Sequence, residues 1–175
     1  MTSLKIDMLG QNQSSHNQEI FSFPIVIATW FGVGYMPIAP GTWGSLAAMP
    51  FAWLIVMLGG QNLLFVFILG TFVLGWWASE AYIRRVGGKD PKAVVIDEVV
   101  GQWLTLSVIT PDIIMYGLGF LVFRIFDIFK PWPIGLADHR INGGIGIMVD
   151  DVLAGIYAAL SLYLINKFMA EGITI

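Results

Sequence analysis

Five carboxylates stand out because their neighbours are apolar: Asp97 and Glu98 in VVIDEVVG, Asp127 in RIFDIFKPW, and Asp150 and Asp151 in GIMVDDVLAG. An ionised carboxylate among such residues is costly unless it has a partner. One account makes them helix N-terminal acids favoured by the backbone dipole, or halves of ion pairs with Arg124 and Lys130. The other makes them a shared site for Mg²⁺ or a similar hard cation, which takes oxygen ligands and keeps waters for substrate and nucleophile. Two adjacent acid pairs and a fifth acid, on what read as neighbouring helix ends, favour the cation site. Asp97 and Gly101, and Asp151 and Gly155, are each four residues apart. On a helix each acid then sits one turn from a glycine on its own face, open to close approach by another backbone or a ligand. The same glycines equally suit close helix packing.

Arg124, Asp127 and Lys130 are spaced by three and make one stripe on a helix. The stripe is either an ion-pair ladder, or a device in which Arg124 and Lys130 hold a phosphate while Asp127 binds metal. The second division suits the bidentate geometry of arginine and the point charge of lysine. The turn Pro40-Gly41-Thr42-Trp43-Gly44-Ser45 opens an apolar helix, and Thr42 or Ser45 can cap it. Glycines at a helix start also free N–H groups for an anion, although this run lacks the GK[ST] ending of a nucleotide-binding loop. Asn142-Gly143-Gly144 offers a second such turn. His139 lies near the acids but reads as a surface residue, and His16 as incidental.

The elements that must position these residues are apolar. Of 175 residues 57% are hydrophobic and 12% charged, against ~25% charged in a soluble domain. That argues against an ordinary water-soluble enzyme and against disorder. The absence of cysteine excludes disulfides, thiolate zinc sites and cysteine nucleophiles. A net charge of −3 without a basic stripe excludes nucleic acid as a partner.

Residues 1–20 read as a polar tail, and residues 21–175 as one membrane-embedded helical domain. Phe21 to Met36 is apolar but interrupted by Pro24, Gly32 and Gly34, so it reads as a short interfacial or re-entrant helix. Leu46 to Leu58 and Leu63 to Trp77, joined by Gly59-Gly60-Gln61-Asn62, form a helical hairpin running out to Arg84 and Arg85. Further helices are expected over Ala93 to Ile109, Ile113 to Phe129 and about Ile147 to Met169, with a glycine-rich stretch from Gly135 to Gly146. Lys130-Pro131-Trp132-Pro133 stops the fourth helix. The expected fold is all-α, a polytopic bundle of about five spanning helices. A soluble helical domain would carry charge on its exposed faces, and Leu46 to Leu74 carries none. When the turns are assigned alternately to two sides, eight of the nine Lys and Arg residues fall on the side of the five acids. That side is therefore expected to face the cytoplasm.

The motifs GVGYMPIAPGTWGSLAAMP, DEVVGQWLTL, FRIFDIFKPWPI and GGIGIMVDDVLAG, in this order, resemble the phosphatidylglycerophosphatase A family over about residues 30 to 160. The resemblance implies a Mg²⁺-dependent lipid phosphatase of the bacterial cytoplasmic (inner) membrane. Its substrate would be the phospholipid phosphatidylglycerophosphate, converted to phosphatidylglycerol and phosphate. The family's motif positions match at Thr42, Ser45, Asp97, Glu98, Arg124, Asp127, Lys130, Asp150 and Asp151. On this reading Asp97, Glu98, Asp150 and Asp151 hold the metal, and metal-activated water attacks phosphorus. Thr42, Ser45, Arg124 and Lys130 bind the phosphate, and Asp127 is a further ligand or orients its cationic neighbours. A small membrane transporter using the same acids for ions is the competing reading.

Overall fold

A computed structural model describes residues 22–88 and 90–172, so the polar tail lies outside the described residues. They fold as six α-helices and one 3₁₀ turn: α1 (Phe23–Ala28), the turn Val33–Tyr35, α2 (Pro40–Val86), α3 (Ile96–Leu106), α4 (Ile113–Phe129), α5 (Ile134–Arg140) and α6 (Gly143–Gly172). The all-α expectation holds.

Helix α1 carries Pro24 at its start, where the missing N–H costs nothing. It ends after one and a half turns, as Trp30, Phe31 and Gly32 all take positive φ. The Thr29 hydroxyl supports the reversal, donating to Ile25 O at 2.8 Å and accepting from Gly32 N at 3.1 Å. The stretch read as a short interfacial or re-entrant helix over Phe21 to Met36 thus holds, in its described residues, a six-residue helix followed by a sharp turn.

Helix α2 contains the expected hairpin. A straight helix of 47 residues would reach about 70 Å, but Gly59 (φ −152°, ψ 17°) and Gly60 (φ 70°, ψ −171°) break it. The two arms run antiparallel: a Cβ on Gly44 would meet Val95 at 2.9 Å, and one on Gly75 would meet Ile96 at 3.1 Å and Met148 at 2.9 Å. At the far end the Gln61 amide donates to Ile109 O.

Helix α3 lies at the centre. Nine of its 11 residues are buried, and Trp103 ties it to the first arm by donating to Ala48 O at 2.8 Å. At about 16 Å it is shorter than a ~30 Å bilayer core and shorter than the expected Ala93 to Ile109. Around it pack α2, α4 and α6. Helix α4 is capped by Asp112, which accepts from Ile114 N and Met115 N at 3.0 and 2.9 Å. Its buried stripe Tyr116, Gly119, Phe123, Asp127 follows helical spacing. The stretch read as glycine-rich holds α5, and α6 begins at Gly143, earlier than expected.

Two helices, Pro40–Val86 and Gly143–Met169, are long and apolar enough to cross a membrane. Large apolar side chains such as Leu54, Met57, Leu58, Val66, Leu69 and Ile125 face outward, each more than half exposed.

Candidate active site

The site forms where the N-terminal halves of α3 and α6 meet the C-terminal end of α4. Small residues let α3 and α6 approach: a Cβ on Gly155 would lie 2.7 Å from Gly101 O, and one on Gly101 2.7 Å from Asp151 O. The backbones touch there, and the acids one turn away on each helix converge. Asp97, Glu98 and Asp151 each offer an oxygen, and these oxygens lie within 4.8 Å of one another.

The carboxylates face a cavity of about 470 Å³ lined by Gly41, Asp97, Glu98, Arg124, Asp127, Lys130, Asp150 and Asp151, among others. Asp97 Oδ1, Glu98 Oε2, Asp150 Oδ1 and Asp151 Oδ2 are buried and find no hydrogen-bond partner. Buried polar atoms in native proteins are paired as a rule, and four orphaned carboxylate oxygens around one cavity suit a cationic occupant. A hard divalent cation takes such a donor set, and the residues fit it.

The two cations are held differently. Arg124 Nη1 sits 2.6 Å from Asp127 Oδ2, 3.3 Å from Ser45 Oγ and 4.0 Å from Glu98 Oε1. Ser45 is itself fixed by donating to Gly41 O at 2.9 Å. A Cβ at Gly41 would overlap Glu98 Oε1, so the glycine leaves room for the carboxylate in this position. Lys130 is placed just past α4 by a left-handed backbone (φ 41°), and its Nζ meets Asp150 Oδ2 at 2.5 Å and Asp138 Oδ1 at 3.2 Å. Burial alone lowers the Lys130 pKa. The hydrogen bonds and charges of Asp150 and Asp138 outweigh burial and set it above the ordinary lysine value.

All five acids, Arg124 and Lys130 therefore line one cavity, and Ser45 reaches it through Arg124. Thr42 is half-buried outside the lining, and its N–H and that of Trp43 turn back to Ala39 O. The Asn142-Gly143-Gly144 turn does meet an anion, but one from the protein: Gly144 N donates to Glu80 Oε2 at 2.8 Å. His139 is exposed and outside the lining. Sequence reasoning missed Asp90, Lys92 and Asp138, which border the cavity. Asp138 stands eight residues after Lys130, a spacing that carries no signal until a turn and α5 fold it back.

The fold and site define a class: a helical protein with many large apolar side chains exposed, in which acids and bases from α3, α4 and α6 meet in one carboxylate-rich cavity. The profile of the family described as Phosphatidylglycerophosphatase A matches residues 26–166, and the chain belongs to that family. The Escherichia coli (strain K12) protein named phosphatidylglycerophosphatase A is 41% identical over 149 residues, covering 85% of this chain and 86% of its own. The Haemophilus influenzae protein of the same name is 37% identical over 146 residues, covering 82% and 89%. A Bacteroides thetaiotaomicron relative, 37% identical over 148 residues (77% and 88%), bears the provisional name phosphatidylinositol-3-phosphatase. No solved structure matches the chain.

Proposed function

We propose that this protein hydrolyses the terminal phosphomonoester of phosphatidylglycerophosphate, releasing phosphatidylglycerol and phosphate. The observation that carries the reading is the cluster of orphaned oxygens of Asp97, Glu98 and Asp151 beside Arg124 and Lys130, in a chain whose relatives at 41% and 37% identity bear that enzyme's name. Asp97, Glu98 and Asp151 would hold Mg²⁺, with Asp150 completing the set. When bound, such an ion supplies charge neutralisation for a phosphoryl group and eases formation of hydroxide at neutral pH.

The chain's own residues position and neutralise. Arg124, fixed between Asp127, Glu98 and Ser45, presents a planar guanidinium at low entropic cost and binds phosphoryl oxygens. Its 2.6 Å contact with Asp127 favours Asp127 as the orienter of Arg124 over a further metal ligand. Lys130, at the end of the same helix, adds a point charge held by Asp150 and Asp138. Phosphoryl transfer depends mainly on such positioning and charge stabilisation. Thr42 belongs to this reading only through the backbone turn it shares with Gly41 and Ser45.

The setting is a bilayer. In this reading the two arms of α2, α4 and α6 cross the bilayer, the shorter α3 is buried among them, and α1 lies at the interface. The cavity opens to the cytoplasmic side of the bacterial inner membrane, where the basic residues gather. A phosphate on a diacyl lipid then lies at the depth of the helix ends that carry the acids.

The test is phosphate release from phosphatidylglycerophosphate by the purified protein in detergent, with Mg²⁺ or EDTA, for wild type, Asp97→Asn and Asp151→Asn. Activity only in wild type with Mg²⁺ is expected. Full activity in either variant, or in EDTA, would refute the carboxylate-metal reading. Ion flux in proteoliposomes without phosphate release would establish the transporter instead.

A further inference from the structure

A second cavity, of about 520 Å³, lies along the C-terminal arm of α2, apart from the site described above. Val73, Trp76 and Trp77 line one end of it and Arg84 and Arg85 the other, with Glu80 and Ala81 between. Residues 73, 77, 80 and 84 recur at three- and four-residue spacing, so they form one stripe along the helix face. From Val73 to Arg84 the helix rises about 16 Å, close to the depth of one leaflet's hydrocarbon, about half of the ~30 Å core. The stripe thus passes from apolar Val73 through aromatic Trp77 and acidic Glu80 to cationic Arg84 over about the depth of one leaflet's hydrocarbon. Trp76 and Trp77 are 45% and 49% exposed although large and apolar, and indole rings favour the headgroup boundary.

The groove is built rather than incidental. Phe23 packs on Trp77 with ring centroids 6.2 Å apart, and Arg85 donates to the Ser22 hydroxyl, so α1 braces one side. Glu80 holds Arg84 at 3.4 Å and Gly144 N at 2.8 Å. With one carboxylate shared against two guanidiniums, the cationic end keeps an excess positive charge and unused N–H donors.

We propose that this groove binds an anionic glycerophospholipid of the surrounding leaflet as a resident lipid, with an acyl chain along Val73 and the tryptophans and the phosphate at Arg84 and Arg85. Glu80 links it to the first turn of α6, the helix that carries Asp150 and Asp151. The proposal rests on α2 spanning a bilayer but not on the phosphatase reading.

Native mass spectrometry of detergent-solubilised full-length protein tests it, with phosphatidylglycerol and phosphatidylcholine as probes in an Asp97→Asn background; neither probe carries a phosphomonoester to turn over, and the groove variants separate groove binding from product binding at the active site. One phosphatidylglycerol per chain is expected to bind at least tenfold more tightly than phosphatidylcholine. The Arg84→Gln/Arg85→Gln variant is expected to lose that preference at least tenfold, and Ala81→Trp, which fills the groove with both arginines in place, to lose the bound lipid. Equal binding of the two lipids by the parent, or an unchanged preference in both groove variants, overturns the proposal. Phosphate release, measured separately on Asp97-containing protein, reports on the active site alone.

Discussion

Gly155→Ala is the sharpest test of how the acids are brought together. The added Cβ would lie 2.7 Å from Gly101 O and 3.1 Å from Gly101 Cα, all backbone atoms that no rotamer change can clear. Relief to an ordinary carbon–oxygen contact requires α3 and α6 to separate by about 0.7 Å. Asp97 and Asp151 sit one turn from this contact on their own helices, so the same separation opens the group of oxygens now within 4.8 Å. Overpacking of this kind costs about 1–3 kcal/mol of stability. A displacement approaching 1 Å in a preorganised site costs up to about 100-fold in rate, so kcat for phosphate release is expected to fall about 10- to 100-fold, and the Mg²⁺ concentration for half-maximal activity to rise. The assay is run well below the variant's melting temperature so that unfolding contributes nothing. Gly70→Ala and Gly117→Ala are controls, because a Cβ at either position meets nothing within 4 Å; each is expected to keep full activity and to gain up to about 1 kcal/mol from helix propensity. Wild-type kcat and Mg²⁺ response in Gly155→Ala would refute the idea that this backbone contact sets the site.

Without bound metal the acids repel one another, so Asp97→Asn is expected to raise the melting temperature in EDTA while abolishing activity. Mg²⁺ should stabilise wild type by about 2.7 kcal/mol at a hundred times its dissociation constant and leave Asp97→Asn unmoved in a thermal melt. Lys130→Met strands the buried Asp150 and is expected to cost about 3–5 kcal/mol in chemical denaturation. Asp138→Asn keeps the Lys130–Asp150 pair and should cost under about 1 kcal/mol. Because Ser45 contacts Arg124 and Thr42 does not line the cavity, Ser45→Ala should lower kcat/KM several-fold more than Thr42→Val in the phosphate-release assay.

The gross fold was legible because the chain is written in long apolar runs broken by strong turn formers. Gly59-Gly60 marked the hairpin tip, and Lys130-Pro131 the end of α4. The converging acids were legible because five carboxylates in apolar sequence are physically anomalous wherever they lie. What sequence could not supply were contacts made across loops. Asp138 pairs with Lys130 only because α5 turns back toward α4, and α5 itself hid in a stretch whose Gly135, Gly143, Gly144 and Gly146 read as loop. The Gly144 N–H was recognised as an anion donor, but its partner Glu80, 64 residues earlier, shows no signal in its own surroundings. Helix α3 was expected over Ala93 to Ile109 and runs Ile96–Leu106, since no proline or glycine next to its ends marks where this largely buried helix stops.

Charge balance in the cavity gives the metal reading its physical weight. Seven carboxylates (Asp90, Asp97, Glu98, Asp127, Asp138, Asp150 and Asp151) line it against three cations, Lys92, Arg124 and Lys130. Arg124 is already engaged with Asp127, and Lys130 with Asp150 and Asp138, which leaves Asp97, Glu98 and Asp151 without a basic side chain at ion-pair distance except the 4.0 Å approach of Arg124 to Glu98. A phosphomonoester brings about −1.5 to −2 further charge at pH 7. Placing that dianion beside three uncompensated carboxylates in one cavity would be repulsive. Protons could cancel the carboxylates' charge, but a protonated acid offers a phosphate oxygen only a single hydrogen bond. A divalent cation neutralises the acids and attracts the phosphate together, so the arrangement that is unfavourable for the empty protein becomes favourable for the loaded one. The same logic accounts for Arg124 being pinned by three oxygen partners: with the cation's charge nearby, an arginine free to swing would be driven away from the place where the phosphate must bind.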